Sequence, residues 1–211
     1  MKGQGNSMGM EKTGMQRAAQ VIRTGGVVGY PSETVWGLGV LPPFAGVLVE
    51  RKGREAGKPL QVSCANRSSA LSFCQASPAL LALLDLLPGP LTIVTPAREW
   101  CPPEVAPEGL VGVRVPDHGL AQALLRETGP LLTSSLNRAG EPAARTFAQA
   151  QAYGLADVLL GAAQDEAGGL ASTVVQLPSG AGKAARILRV GAFPVSRLRA
   201  VLEACGVRLT T

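Results

Sequence analysis

Aromatic side chains are scarce in this chain: two Trp, two Tyr and four Phe, 4% of 211 residues. Leu, Val and Ala must therefore fill the core, and the rows of aromatics on which single-stranded nucleic acid stacks are absent. Histidine is rarer still. His118, in the loop-like stretch Pro116-Asp117-His118, is the only one, and no Ser-His-Asp arrangement accompanies it. Covalent catalysis by an enzyme nucleophile is not suggested. The four cysteines (Cys64, Cys74, Cys101 and Cys205) contain no C-x-x-C pair. That excludes a dense structural zinc site, so no metal ligands are assigned, and the spacing does not resemble a disulfide framework. They are expected to be free thiols in a reducing cytoplasm. The longest apolar run, residues 79–87, is too short to span a bilayer and is broken by Asp85. The N-terminus has no apolar h-region, so residues 1–14 read as a flexible leader rather than a secretory signal. A cytoplasmic protein without membrane contact is expected.

What is present is 46% hydrophobic against 17% charged residues, the balance of a folded chain. The formal net charge is +5 and the pI about 9.3. Such a surplus attracts phosphates of any kind, nucleotide, RNA or lipid, without choosing between them.

Patterning alternates strand-like and helical pieces. Residues 15–24 have helical spacing and stop at Gly25-Gly26. Strands are expected at 27–30, 60–64, 91–95, 111–115, 131–134, 158–160, 173–176 and 185–188. Ser77-Pro78 opens a Leu-rich helix, with Ser as N-cap and Pro at the first helical position. Helices are also expected at 119–128, from Thr146 to about Tyr153, and at 194–204, where Val195, Leu198, Val201 and Leu202 share a face. No repeat or long linker appears. The expectation is one α/β domain over 15–211, a twisted open mixed sheet with flanking helices, without a regular βαβ series.

Five segments carry polar residues suited to chemistry. Tyr30 to Gly39 follows a strand and holds Ser32, Glu33, Thr34 and two glycines. Glycines admit close backbone approach and hydroxyls can donate to substrate; a strand-to-helix turn capped by Ser32 or Thr34 fits equally. Lys52, Arg54 and Lys58 gather three cations in a Gly-containing loop, as a triphosphate requires, though a solvated basic turn has the same composition. The G-x-x-x-x-G-K-[ST] spacing is absent. Ser134, Ser135 and Asn137, with Arg145 beyond, follow a strand end, where open α/β sheets bind ligands; an Asx turn is the alternative. Residues 171–175 and 187–191 complete the set.

In order, these segments resemble the YrdC-like family of threonylcarbamoyl-AMP synthases. The resemblance runs from about Met15 to Cys205. It rests on Pro31-Ser32-Glu33-Thr34-Val35-Trp36-Gly37-Leu38-Gly39, on Lys52, Arg54 and Pro59-Leu60, and on Pro88 to Thr92. Val113 to Pro116, Ser135-Leu136-Asn137, Ser172 to Val174 and Leu188 to Gly191 complete it. The resemblance implies a concave basic face on the sheet. It also implies condensation of L-threonine and bicarbonate to a carbamate that attacks the α-phosphate of ATP, a nucleotidyl transfer yielding threonylcarbamoyl-AMP and pyrophosphate. Lys52, Arg54, Lys58, Asn137, Arg145 and Arg189 would hold ATP. Ser32, Arg114, Ser135 and Ser172 would surround threonine, with Thr34 and Ser63 as further contacts. Mg²⁺ would accompany the triphosphate, held by phosphates and water. Partner proteins of the TsaD/TsaB/TsaE type would carry the product to an adenosine of tRNA.

This chain departs from the family pattern at four positions and is a few residues short between Gly39 and Lys52. Ser32 replaces Thr, Trp36 replaces Tyr, Leu136 replaces a small residue, and Ser63 stands where many members have His. The extra C-terminal domain of longer members is not expected. Two other readings keep the same fold: a module binding tRNA or double-stranded RNA, and a paralogue acting on a different carbamoyl or amino-acid substrate.

Overall fold

The computed structural model describes residues 4–53, 60–180, 182 and 184–210, with side chains from residue 13 onward. Helix α1 (Gln4–Arg23) comes first and takes in residues 4–14, which the sequence reading assigns to a leader. It stops where expected: Gly25, at φ +88°, turns the chain in a conformation other residues resist. Strand β1 (Val28–Tyr30) follows.

Residues 31–40 do not lead into a helix. After the 31–36 loop they form β2 (Gly37–Val40), antiparallel to β1 with Tyr30 opposite Gly37. The sequence hides this strand because Gly-Leu-Gly-Val has poor β-propensity. The two glycines have a packing role here. A Cβ at Gly39 would lie 3.1 Å from the Tyr30 ring and 3.1 Å from Leu131. The buried phenol thus lies across a strand that offers it no side chain at these positions.

Helix α2 (Ala45–Lys52) was also unexpected, since Gly46, Val47 and Val49 are weak helix formers. Its buried residues Ala45, Leu48 and Lys52 fall on one face, and tertiary packing decides it. Strand β3 (Gln61–Ser63), short α3 (Arg67–Leu71) and α4 (Pro78–Leu84) come next. Ser77 caps α4 as its sequence predicts, its hydroxyl accepting from Leu80 N–H at 3.2 Å. Then follow β4 (Leu91–Pro96), β5 (Leu110–Arg114), α5 (Gly119–Thr128), β6 (Leu131–Ser135) and α6 (Phe147–Tyr153). Thr146 and Gln149 form a reciprocal capping box at the start of α6. Strands β7 (Val158–Leu159), β8 (Thr173–Gln176) and β9 (Ala184–Arg189), helix α7 (Val195–Ala204) and β10 (Arg208–Thr210) complete the chain.

The strands join one mixed sheet in the order β10-β9-β8-β4-β5-β3-β6-β2-β1-β7. Its two faces follow from the period of two along each strand. Leu91 and Ile93 of β4, Val111 and Val113 of β5, Val62 of β3 and Val175 of β8 enter the larger core. The buried leucines of α2, α4 and α7 pack there too. Their alternates (Thr92, Gly112, Arg114, Gln61, Thr133 and Val174) look out from the other face. A smaller core joins Ala18 and Ile22 of α1 to Leu124 and Leu125 of α5, over Val28, Tyr30 and Leu131. Among the described residues no helix is long and apolar enough to cross a membrane.

Candidate functional site

The outward face of β8, β4, β5, β3 and β6 floors a cavity of about 660 Å³, ample for a small-molecule substrate. Strand alternation supplies its polar lining. Ser172, just before β8, and Thr92 of β4 pair their hydroxyls at 2.9 Å. Thr92 gives its only hydroxyl hydrogen to Gln61 Oε1 at 3.0 Å, so Ser172 must be the donor in the first bond. The bond to Gln61 spans β5, where Gly112 has no side chain to obstruct it. Arg189, at the end of β9, donates to the Ser172 carbonyl from Nε at 3.1 Å and from Nη2 at 2.9 Å, and to its hydroxyl at 3.1 Å. One directed chain therefore runs Arg189→Ser172→Thr92→Gln61 across the floor.

Two guanidiniums face this floor. Arg114, at the end of β5, is buried, with Nη2 2.8 Å from Thr34 Oγ1 and 2.8 Å from Glu33 Oε1. Desolvation holds the pKa of Arg189 below its ordinary value, and the neighbouring Arg114 charge adds to the effect. Glu33 offsets part of the Arg114 charge, and together the two guanidiniums offer charged donors to an anionic occupant.

The loop before β2 is built around Arg114. Ser32 Oγ donates to the Val35 carbonyl at 2.7 Å, so in its 2.9 Å pair with Thr34 the threonine hydroxyl donates. Thr34 Oγ1 thereby keeps its lone pairs for Arg114. Behind them Tyr30 is buried, its phenol pKa pushed up by desolvation against opposing contacts from Ser63, Arg114 and Thr133. At the far wall, the buried Lys52 donates from Nζ to the Ser135 carbonyl at 2.5 Å and to Asn137 Oδ1 at 3.1 Å. Asn137 uses its amide hydrogens on the carbonyls of Arg138 and Glu141.

Of the residues singled out from sequence, Thr34, Arg114, Ser135, Asn137, Ser172 and Arg189 share this cavity wall. Ser32 is not on it: its hydroxyl is engaged within the loop. Ser63 is buried against Thr133 at 2.9 Å. Lys52 stands behind Ser135, supporting the wall rather than lining it. Arg145 is exposed and packs along Gly169, off the cavity lining. Arg54 and Lys58 lie outside the described residues. The sequence reading missed Gln61, Thr92 and Thr133 as wall residues. Thr92 was within reach, because it alternates with Leu91 and Ile93 inside a segment already singled out. Trp36 and Leu136, two of the four departures, are fully buried in the core. Trp36 packs edge-on to Phe147 at 5.8 Å, so neither departure alters the cavity lining. Among the described residues no three of His, Cys, Asp and Glu come together as metal ligands.

The sequence profile of the Sua5/YciO/YrdC family, described as telomere recombination, matches residues 20–191. The chain belongs to this family. Among similar members is the threonylcarbamoyl-AMP synthase of Pseudomonas aeruginosa (strain UCBPP-PA14). It is 41% identical over 144 residues, 65% of this chain and 78% of that protein. The enzyme of the same name from Thiobacillus denitrificans is 40% identical over 135 residues, 61% of this chain and 72% of the relative. The crystal structure of P. abyssi Sua5 complexed with L-threonine superposes with a TM-score of 0.81 at 28% identity. That match covers 93% of this chain and 58% of the Sua5 chain, so this Sua5/YciO/YrdC chain spans just over half the Sua5 length.

Proposed function

We propose that this protein is a threonylcarbamoyl-AMP synthase, consuming L-threonine, bicarbonate and ATP. The observation that carries the reading is the pairing of Arg114 and Arg189 over a floor of hydroxyl and amide groups. It is an anion-receiving cleft without a nucleophile–base pair among its described residues, in a chain whose relatives bear that enzyme's name.

Such a site suits a reaction in which the substrates supply the reactive groups. The threonine ammonium and bicarbonate give the carbamate, water and a proton. A carbamate oxygen then attacks the α-phosphorus, the new P–O bond forms, and the bond to pyrophosphate breaks. The protein has to align two anions and offset charge that grows between them. In this reading Arg114 receives the threonine carboxylate, and Ser172 and Thr34 border the amino acid. Arg189 and the Ser135–Asn137 wall border the nucleotide, and Lys52 holds that wall. Magnesium would arrive with the triphosphate and be held by phosphate and water oxygens. The product is a mixed anhydride, a reactive acyl donor, and would be passed to proteins that modify tRNA.

The test is pyrophosphate release from ATP and bicarbonate with threonine, serine or no amino acid. Release that depends on threonine is expected. Folded protein showing none would refute the proposal, and faster release with another amino acid would reassign the substrate.

A further inference from the structure

Glu33 has no role in the reaction just described, yet it sits beside a buried cation of the site. Its Oε1 lies 2.8 Å from Arg114 Nη2, with side-chain exposures of 19% for Glu33 and 7% for Arg114. Neither carboxylate oxygen is exposed to solvent, and beyond the Arg114 ion pair neither has a partner among the described residues. Glu33 is also absent from the cavity lining, whereas its neighbours Thr34 and Val35 and its partner Arg114 are on it. A carboxylate so covered cannot touch a substrate in the cavity. It can act on one only through the guanidinium.

Arg114 complements this arrangement. Its Nη2 is shared between Glu33 and Thr34, which fixes one corner of the plane. Its Nε is buried and has no acceptor among the described residues. Arg114 lines the cavity, so an anion bound there can pair with the part of the guanidinium that faces it, while Nε stays covered. The loop also explains why Glu33 stays in place. Ser32 and Thr34 cross-link the loop on either side of it, and the Glu33 carbonyl lies so close to Gly168 that a Cβ there would come within 2.6 Å.

We propose that Glu33 is a positioning residue: it orients Arg114 so that the cavity-facing edge of the guanidinium meets the carboxylate of the amino-acid substrate, and so sets affinity for that substrate without contacting it. The inference rests on the proposed function for the identity of that substrate, and on the geometry alone for the orientation of Arg114.

The experiment has two arms. Kinetically, Glu33→Ala should raise the KM for threonine roughly tenfold or more, the scale of one lost charged hydrogen bond. kcat at saturating threonine and the KM for ATP should stay within about twofold of wild type, because uniform binding of one substrate is what is lost. Glu33→Gln keeps an acceptor of the same shape toward Arg114 and should recover most of the threonine affinity; it also serves if the alanine variant folds poorly. A general structural defect would instead raise both KM values together, and that outcome overturns the proposal. So does a glutamine variant no better than alanine.

The second arm needs no turnover. In protein labelled with ¹⁵N-arginine, the side-chain Nε–H resonance of Arg114, assigned by its loss in Arg114→Lys, should be resolved and protected from exchange. It should remain so in Glu33→Gln and lose protection in Glu33→Ala. Unchanged protection in Glu33→Ala overturns the positioning role even if wild type proves inactive with threonine. Inactive wild type with the expected resonances refutes the proposed reaction alone.

Discussion

Thr92 and Gln61 are hydrogen-bonded across a strand that neither belongs to. The Thr92 hydroxyl donates to Gln61 Oε1 at 3.0 Å, over Gly112 of the intervening β5. The bond fixes the direction of the next one, from Ser172 to Thr92 at 2.9 Å. Thr92→Val would leave the shape intact and remove both. Thr92 is buried, and Ser172 and Gln61 would each lose a partner. A loss of stability of about 1–3 kcal/mol is expected, read by urea denaturation at unchanged m-value. A loss under about 0.5 kcal/mol would mean that water replaces the link freely.

Lys52 should behave as a strut rather than a surface cation. With Lys52→Met, the Ser135 carbonyl and Asn137 Oδ1 lose the charged donor that now lies at 2.5 and 3.1 Å. Roughly 1.5–3 kcal/mol of stability should go with it. The effect should persist in high salt, because the contact is buried and screened little. Denaturation in low and high salt would separate this from an exposed phosphate-binding lysine, whose removal would leave stability nearly unchanged.

Gly191 allows the backbone of the β9 end to lie against Ser172. A Cβ at this position would come within 2.2 Å of the Ala171 carbonyl oxygen and 2.4 Å of the Ser172 carbonyl carbon. Both are main-chain atoms and cannot swing aside. Gly191→Ala should therefore displace Ser172, lower stability by about 1–3 kcal/mol and reduce kcat/KM. Gly119→Ala is the control, since nothing lies within 4 Å of a Cβ there. Equal melting temperatures for the two variants would count against the packing argument.

The cysteines offer a pH test. Burial pushes the Cys64 and Cys74 thiols up to about 12 from an ordinary 9.0. A raised folded pKa favours the protonated native state, so this stabilisation is complete below about pH 9. It is lost progressively as pH rises from there toward 12. Denaturation midpoints should fall over that window. At pH 8 both thiols should resist iodoacetamide in the native protein and react after unfolding, while the partly exposed Cys205 reacts first. Mass spectrometry of the alkylated peptides reads the order.

The sequence alone determined most of the elements and the identity of several wall residues. Caps and stops are local chemistry: Ser77 before Pro78, the Thr146–Gln149 box and Gly25 after α1 depend on residues a few positions apart. The alternation Val111-Gly112-Val113-Arg114 likewise announces which side of β5 faces the core, because a strand has a period of two. Strand β2 and helix α2 were not legible, since their glycines and valines oppose the structure they adopt and distant partners decide it.

The site divides in the same way. Sequence could nominate Ser32, Lys52 and Ser172 as polar groups of loops next to strands, but not say which would face the cavity. Only the tertiary structure placed the Ser32 hydroxyl on the Val35 carbonyl, Lys52 behind Ser135, and Ser172 in the open cavity. The reason is that a side chain's availability depends on which hydrogen bonds its neighbours have already completed. Those neighbours come from strands and loops far apart in the chain.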